Sequence, residues 1–168
     1  MPTPDEETAI FRNQLWTWAQ AASRQRVRLL EATAAWDTEE TGGERPEVNG
    51  AWMWTELAFF MFAVRNATRY AQDLAEAVDS SAIRDAVAAC EADIAGAAGL
   101  RNWFEHLDEY LAGKGRSALP APTFAAIEVL LPVEGCRPHA FQAAGVIVDP
   151  DRYDAAIRLM VDRILGAS

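Results

Sequence analysis

Along most of this chain apolar residues recur every three or four positions, and the places where that recurrence fails divide it into a series of helices. Thr3, Pro4, Asp5 and Glu6 form a helix start, with Thr3 as cap, Pro4 at the favoured first position and Glu6 closing a capping box. The helix is expected to run toward Trp36, with Phe11, Leu15, Trp18, Ala22, Leu29 and Ala32 inward and Trp16 alongside. A polar stretch, SRQRVR, interrupts it at Ser23 to Arg28. Residues 37–50 carry two adjacent glycines, a proline and five acids with no apolar period, and read as a loop.

A second helix is expected from Ala51. Its opening, WMWTELAFFMFAV, is apolar nearly all round, which predicts a helix buried on several sides at the centre of the bundle. Glu56 stands among these aromatics. It either occupies an exposed first turn or faces a basic partner such as Arg101 or His106, because a carboxylate held in apolar surroundings needs pairing or protonation. Arg65, Asn66, Arg69 and Tyr70 give the end of the helix a locally basic face.

Asp79, Ser80 and Ser81 predict the cap of a third helix with Ile83, Val87, Cys90 and Ile94 inward. Gly96 and Gly99 predict a kink or break just before Leu100. From Leu100 to Arg116 the string LRNWFEHLDEYLAGKGR sets Leu100, Phe104, Leu107 and Leu111 on one stripe with Trp103 at its edge, and Gly113 and Gly115 end it. Beyond a loop with two prolines, β-branched residues gather only in Phe124 to Leu131 and Ala143 to Asp149. These two runs predict a two-stranded hairpin packed on the bundle. Asp149 and Pro150 then start a last helix with Tyr153, Ile157, Met160, Val161 and Ile164 inward. The expected fold is mainly α: a bundle of four long helices, a small C-terminal β-hairpin and a final helix, in one domain over residues 1–168 with the hairpin extension from about residue 117.

Composition narrows the functional classes. A formal charge of −10, from 15 basic and 25 acidic residues, favours solubility and repels polyanions at long range, so any nucleic-acid site has to be a local basic patch. Two cysteines, Cys90 and Cys136, are too few for a disulfide scaffold and suit a reducing cytoplasm. The acidic start MPTPDEETAI lacks the basic and apolar regions of a secretory leader. The most apolar stretch, Ala51 to Val64, is 14 residues long and includes Glu56, which is too short and too polar to span a bilayer. Cys136 and His139, in CRPH, fall short of a zinc ligand set, so neither metal nor cofactor is expected. There is no glycine-rich phosphate loop, nucleophile elbow or HExxH pair. The aromatic run at Trp52, Trp54, Phe59, Phe60 and Phe62 reads as core, with an apolar ligand pocket as the alternative.

The residues from which a chemistry can be argued are Arg101, Asn102 and His106. A histidine that titrates near neutrality and an arginine fork together supply a proton acceptor and a phosphate ligand, which is what RNA cleavage without metal requires. Spaced by five, Arg101 and His106 point about 140° apart on one helix, so a single copy does not close around a phosphate. Asn102 and His106, spaced by four, can orient one another. The alternative is that Arg101 pairs with Glu105 and Asp108 on a solvated face, leaving His106 an ordinary surface histidine.

The string RNWFEH resembles the signature of the HEPN superfamily: Arg, usually a polar residue such as Asn, then His four to six positions after the Arg. This superfamily comprises all-helical domains that include metal-independent ribonucleases. The resemblance covers these six residues and the helix layout. It implies a dimer in which two copies of the motif build one cleft, with Arg101 holding phosphate, His106 as general acid or base and Asn102 orienting it. Glu56, Glu105 and Tyr110 are the candidate supporting residues. Family toxins often carry Tyr two positions after the His; here Asp108 stands there and Tyr110 follows two residues later. The expected function is therefore a HEPN-like, metal-independent endoribonuclease or toxin relative acting on RNA as a homodimer. The alternative is a non-catalytic helical dimer that binds a protein partner as an interaction or regulatory module.

Overall fold

In the computed structural model the described residues are 2–40, 46–97, 99–100, 128–130, 140–143 and 146–166; side-chain environments are described for residues 2–34, 53–97, 99–100 and 146–166. They hold four helices and one three-stranded sheet: α1 (Pro4–Glu40), α2 (Pro46–Ala77), α3 (Ser81–Asp93), β1 (Glu128–Leu130), β2 (Ala140–Ala143), β3 (Val146–Val148) and α4 (Pro150–Leu165). The chain is a mainly α helical bundle.

The helix ends follow from short-range chemistry. The Thr3 N–H and hydroxyl donate to Glu6 Oε2 at 2.7 and 3.1 Å, and the Glu6 N–H donates to Thr3 Oγ1 at 3.3 Å, closing the capping box. Those bonds hold the Glu6 carboxyl below the usual carboxylate range. Ser80 caps α3 by accepting from the Ile83 N–H, and Asp149 caps α4 by accepting from the Asp151 and Arg152 N–H groups, each at 3.0 Å. Pro150 takes the first helical position, where its missing N–H costs nothing.

Helices α1 and α2 form a long antiparallel hairpin. Arg28 meets Glu56 toward its connected end, and Phe11 meets Tyr70 some five turns away with ring centroids 6.5 Å apart. The interval expected to be a loop over residues 37–50 is much shorter. α1 continues to Glu40 and α2 begins at Pro46, so only residues 41–45 separate them. Glutamate is a good helix former and proline suits a first helical position, so Glu39, Glu40 and Pro46 are compatible with helix despite lacking an apolar period.

α2 is the centre of the core, as its composition predicts. Met53, Leu57, Phe60, Met61, Val64 and Leu74 are fully buried, along with Leu15 and Leu29 of α1 and Ile157 of α4. Each such large side chain contributes about 1.5–3 kcal/mol relative to leaving it in water. Tyr153 stacks on Phe60 with centroids 6.4 Å apart, and its hydroxyl lies 3.2 Å from the Ala95 carbonyl oxygen and 3.3 Å from that of Ile147. One side chain thereby joins α4 to the turn after α3 and to β3.

The sheet corrects the expected hairpin. The two predicted strands contain β1 and β3, but these do not pair with each other. β2 lies between them and is antiparallel to both, with Val129 opposite Phe141 and Phe141 opposite Val148. β2 reads AFQA, whose alanines carry little strand preference, so it was legible only as connecting sequence. Val148 is fully buried, and Val146 presses against Gly96 in the turn after α3.

Candidate functional site

Gly96 ends the third helical segment as its sequence suggests. The helix stops at Asp93, a turn spans Ile94 to Gly96, and Gly96 has φ +90°, a left-handed conformation that glycine adopts without a Cβ penalty. Its Cβ, if present, would lie 2.7 Å from Val146 Cγ1, so the position is closed to larger residues on packing grounds as well. Helical structure resumes at Ala97, and the Leu100 N–H donates to the Gly96 carbonyl oxygen at 3.0 Å. Leu100, first residue of the predicted apolar stripe, is fully buried. Arg101, Asn102, Glu105, His106 and Tyr110 lie outside the described residues, as do Cys136, His139 and the rest of the segment expected to be the central helix.

Glu56 is the candidate supporting residue that the structure describes. It is 2% exposed, which replaces the exposed-turn alternative with the buried one. A basic partner is Arg28, whose Nη2 donates to Glu56 Oε1 at 2.8 Å from a side chain that is 57% exposed. The buried carboxylate is thus tied to an arginine that reaches toward solvent. Arg28 belongs to the SRQRVR stretch, and the sequence showed the stretch without showing its partners.

The same stretch supplies a second charged cluster, between α1 and α4. Asp154 is 4% exposed and accepts from Ser23 Oγ at 2.5 Å and from Arg158 Nη2 at 2.8 Å, with Arg26 Nε at 3.6 Å. Arg26 also lies 3.2 Å from Asp151. Two cations and a hydroxyl around one buried carboxylate satisfy it and fix the crossing of the two helices, with Arg26 held by ion-pair proximity and no hydrogen bond at its Nε among the described residues. Sequence reasoning missed it. The available signal was polar residues at Ser23 and Arg26 on the inward-turning side of a helix whose other inward positions are apolar.

Cys90 is buried in α3. Burial pushes its thiol up to about 12, and Asp93 and Glu91 act in the same direction, so the sulfur stays protonated and is a core side chain rather than a nucleophile. Among the described residues no group of three or more His, Cys, Asp or Glu side chains could hold a metal ion, and no helix is long and apolar enough to cross a membrane.

No family model matches the chain, and neither a curated protein nor a solved structure matches it. Its chemistry is therefore argued from its own residues.

A cleft of about 260 Å³ opens between α2 and the turn that follows α3, lined by Arg65, Thr68, Glu91, Ile94, Gly96 and Ala97. Thr68 is 1% exposed; its hydroxyl donates to the Arg65 carbonyl oxygen at 2.9 Å and accepts from Arg65 Nη1 at 3.3 Å. Glu91, on the α3 wall, accepts from Gln72 Nε2 at 2.7 Å. Arg65 was legible in the sequence as part of a basic face on α2, while the cleft it lines exists only once α3 and its terminating turn fold against that face.

Proposed function

We propose that this chain is a HEPN-like, metal-independent endoribonuclease that acts as a homodimer. What supports the reading is the string RNWFEH directly after the buried Leu100. Leu100, directly before Arg101, is buried in the bundle on a helical turn that starts after the break at Gly96. On continued helix Arg101 and His106 diverge by about 140°, and a second copy supplies the complementary groups. His106 takes the proton from a ribose 2′-hydroxyl as its oxygen attacks the adjacent phosphorus. Arg101 offers its fork to the charge gathering on the phosphate oxygens, the new O2′–P bond forms as the P–O5′ bond breaks, and the departing 5′-oxygen takes its proton from water. Asn102 holds the imidazole in orientation.

The experiment is cleavage of single-stranded RNA in EDTA by the wild-type protein and by His106→Ala purified in parallel. A positioned general acid or base contributes about 10²–10⁴-fold, and a loss of that size in the variant is the expected outcome. Equal activity in both preparations rejects the proposal.

The net charge of −10 favours a second reading, a non-catalytic helical dimer that binds a protein partner, because such a chain repels RNA at long range. Under that reading solution mass reports a dimer while RNA is neither cut nor bound.

A further inference from the structure

Among the described arginines only Arg26 and Arg65 are partly buried. Arg26 has two carboxylates beside it. Arg65 has none within ion-pair distance among the described residues, and its one side-chain hydrogen bond runs to the Thr68 hydroxyl. A guanidinium carries five N–H donors, and partial burial weakens its hydration, so a cation held this way favours an external oxyanion. The protein is strongly acidic, yet this arginine lines a cleft whose one carboxylate, Glu91, lies beyond ion-pair distance from it and accepts from Gln72 instead.

We infer that the cleft of Arg65, Thr68, Glu91, Ile94, Gly96 and Ala97 is a subsite for a phosphodiester group of single-stranded RNA. Two observations select the diester. Glu91 stands on the opposite wall and repels a dianionic phosphate monoester about twice as strongly as a diester, which brings a single negative charge to a single arginine. The cleft also adjoins the turn whose Gly96 carbonyl accepts from the Leu100 N–H, and Arg101 is the next residue in the chain. A strand whose scissile phosphate is held by Arg101 has neighbouring phosphates to place, and Arg65 lines the cleft beside the described residues that lead to Arg101 in the chain. The inference rests on the ribonuclease reading for its ligand, and its test is arranged so that the two fail separately.

The probe is a single-stranded oligonucleotide with 2′-deoxyribose and no terminal phosphate, which lacks the hydroxyl needed for cleavage. Its affinity is measured by fluorescence anisotropy over a range of salt concentrations for wild type, Arg65→Gln and Arg65→Lys, with thermal melts confirming that all three fold. Loss of one phosphate contact lowers the slope of log affinity against log salt by about 0.7 for a single strand. Arg65→Gln is expected to show that drop with an affinity about tenfold weaker in low salt, from the loss of one charge-assisted contact. Arg65→Lys is expected to restore the slope, since it keeps the charge. The subsite is overturned if wild type does not bind the probe, or if Arg65→Gln binds with unchanged affinity and slope. Displacement of the probe by inorganic phosphate at matched ionic strength overturns the diester assignment in favour of free phosphate. Arg65-dependent binding without cleavage of RNA by the wild type keeps the subsite and removes the ribonuclease. Cleavage with no Arg65 dependence does the reverse.

Discussion

Arg28 on α1 donates to the buried carboxylate of Glu56 on α2 at 2.8 Å, joining an arginine more than half exposed to an acid that is 2% exposed. The pair lies between two regimes. A fully exposed ion pair contributes about 0–1 kcal/mol, and removing one partner of a fully buried pair costs about 3–5 kcal/mol. Water screens Arg28 but not Glu56, so Arg28→Met, which keeps the apolar stem, is expected to destabilise the fold by about 1–3 kcal/mol. Urea denaturation checks this: the midpoint falls while the slope is unchanged. An unmoved midpoint shows that solvent already screens the pair.

Gly96 and Val146 fit against each other with no room for a methyl group. Gly96→Ala forces a left-handed φ on an L residue and sets a Cβ 2.7 Å from Val146 Cγ1 and 3.1 Å from Cγ2. The two effects together are expected to cost about 2–4 kcal/mol. Val146→Ala in the same chain removes the clash but not the backbone penalty. The double variant should therefore be less destabilised than the sum of the singles, and strict additivity in denaturation would show that the backbone alone carries the cost.

Cys90 and Tyr153 set an alkaline limit. Burial raises both above their ordinary values, the thiol to about 12. A group whose folded-state pKa is raised contributes stability that is fully present below its unfolded value and is lost as pH rises through the folded one. For the thiol that window runs from about 9 to about 12, because the unfolded chain gives up its proton first. Stability is therefore expected to fall as pH rises above about 9, and less steeply in Cys90→Ala. With Cys136 replaced by serine so that one thiol is read, the native protein should react with a disulfide reagent only as fast as it unfolds. Rapid native-state labelling contradicts a buried, protonated sulfur.

The legible parts of this protein are those set by neighbours in sequence. Thr3 with Glu6, Ser80, and Asp149 with Pro150 announce helix starts because a cap needs only a few adjacent residues. The apolar positions of α2 and α4 announce burial because helical spacing gathers them on one face wherever the helix packs. Gly96 announced a break. Misjudged elements lack such local marks. Glu39 and Glu40 carry no apolar period, yet they continue α1, and β2 has little strand preference but is flanked by two segments able to pair with it.

Of the candidate site, the sequence by itself determined the string RNWFEH, the buried Leu100 before it, and the presence of Glu56 and Arg65 on one helix. Tertiary structure alone decided that Glu56 is buried against Arg28, that Ser23, Arg26 and Arg158 gather on Asp154, and that Arg65 lines a cleft with no carboxylate within ion-pair distance of it among the described residues. The physical reason is range. Caps and helical faces are fixed within a turn or two of chain, whereas the partner of a charge depends on which distant helix packs against it, and that is settled only when the whole apolar surface is buried together.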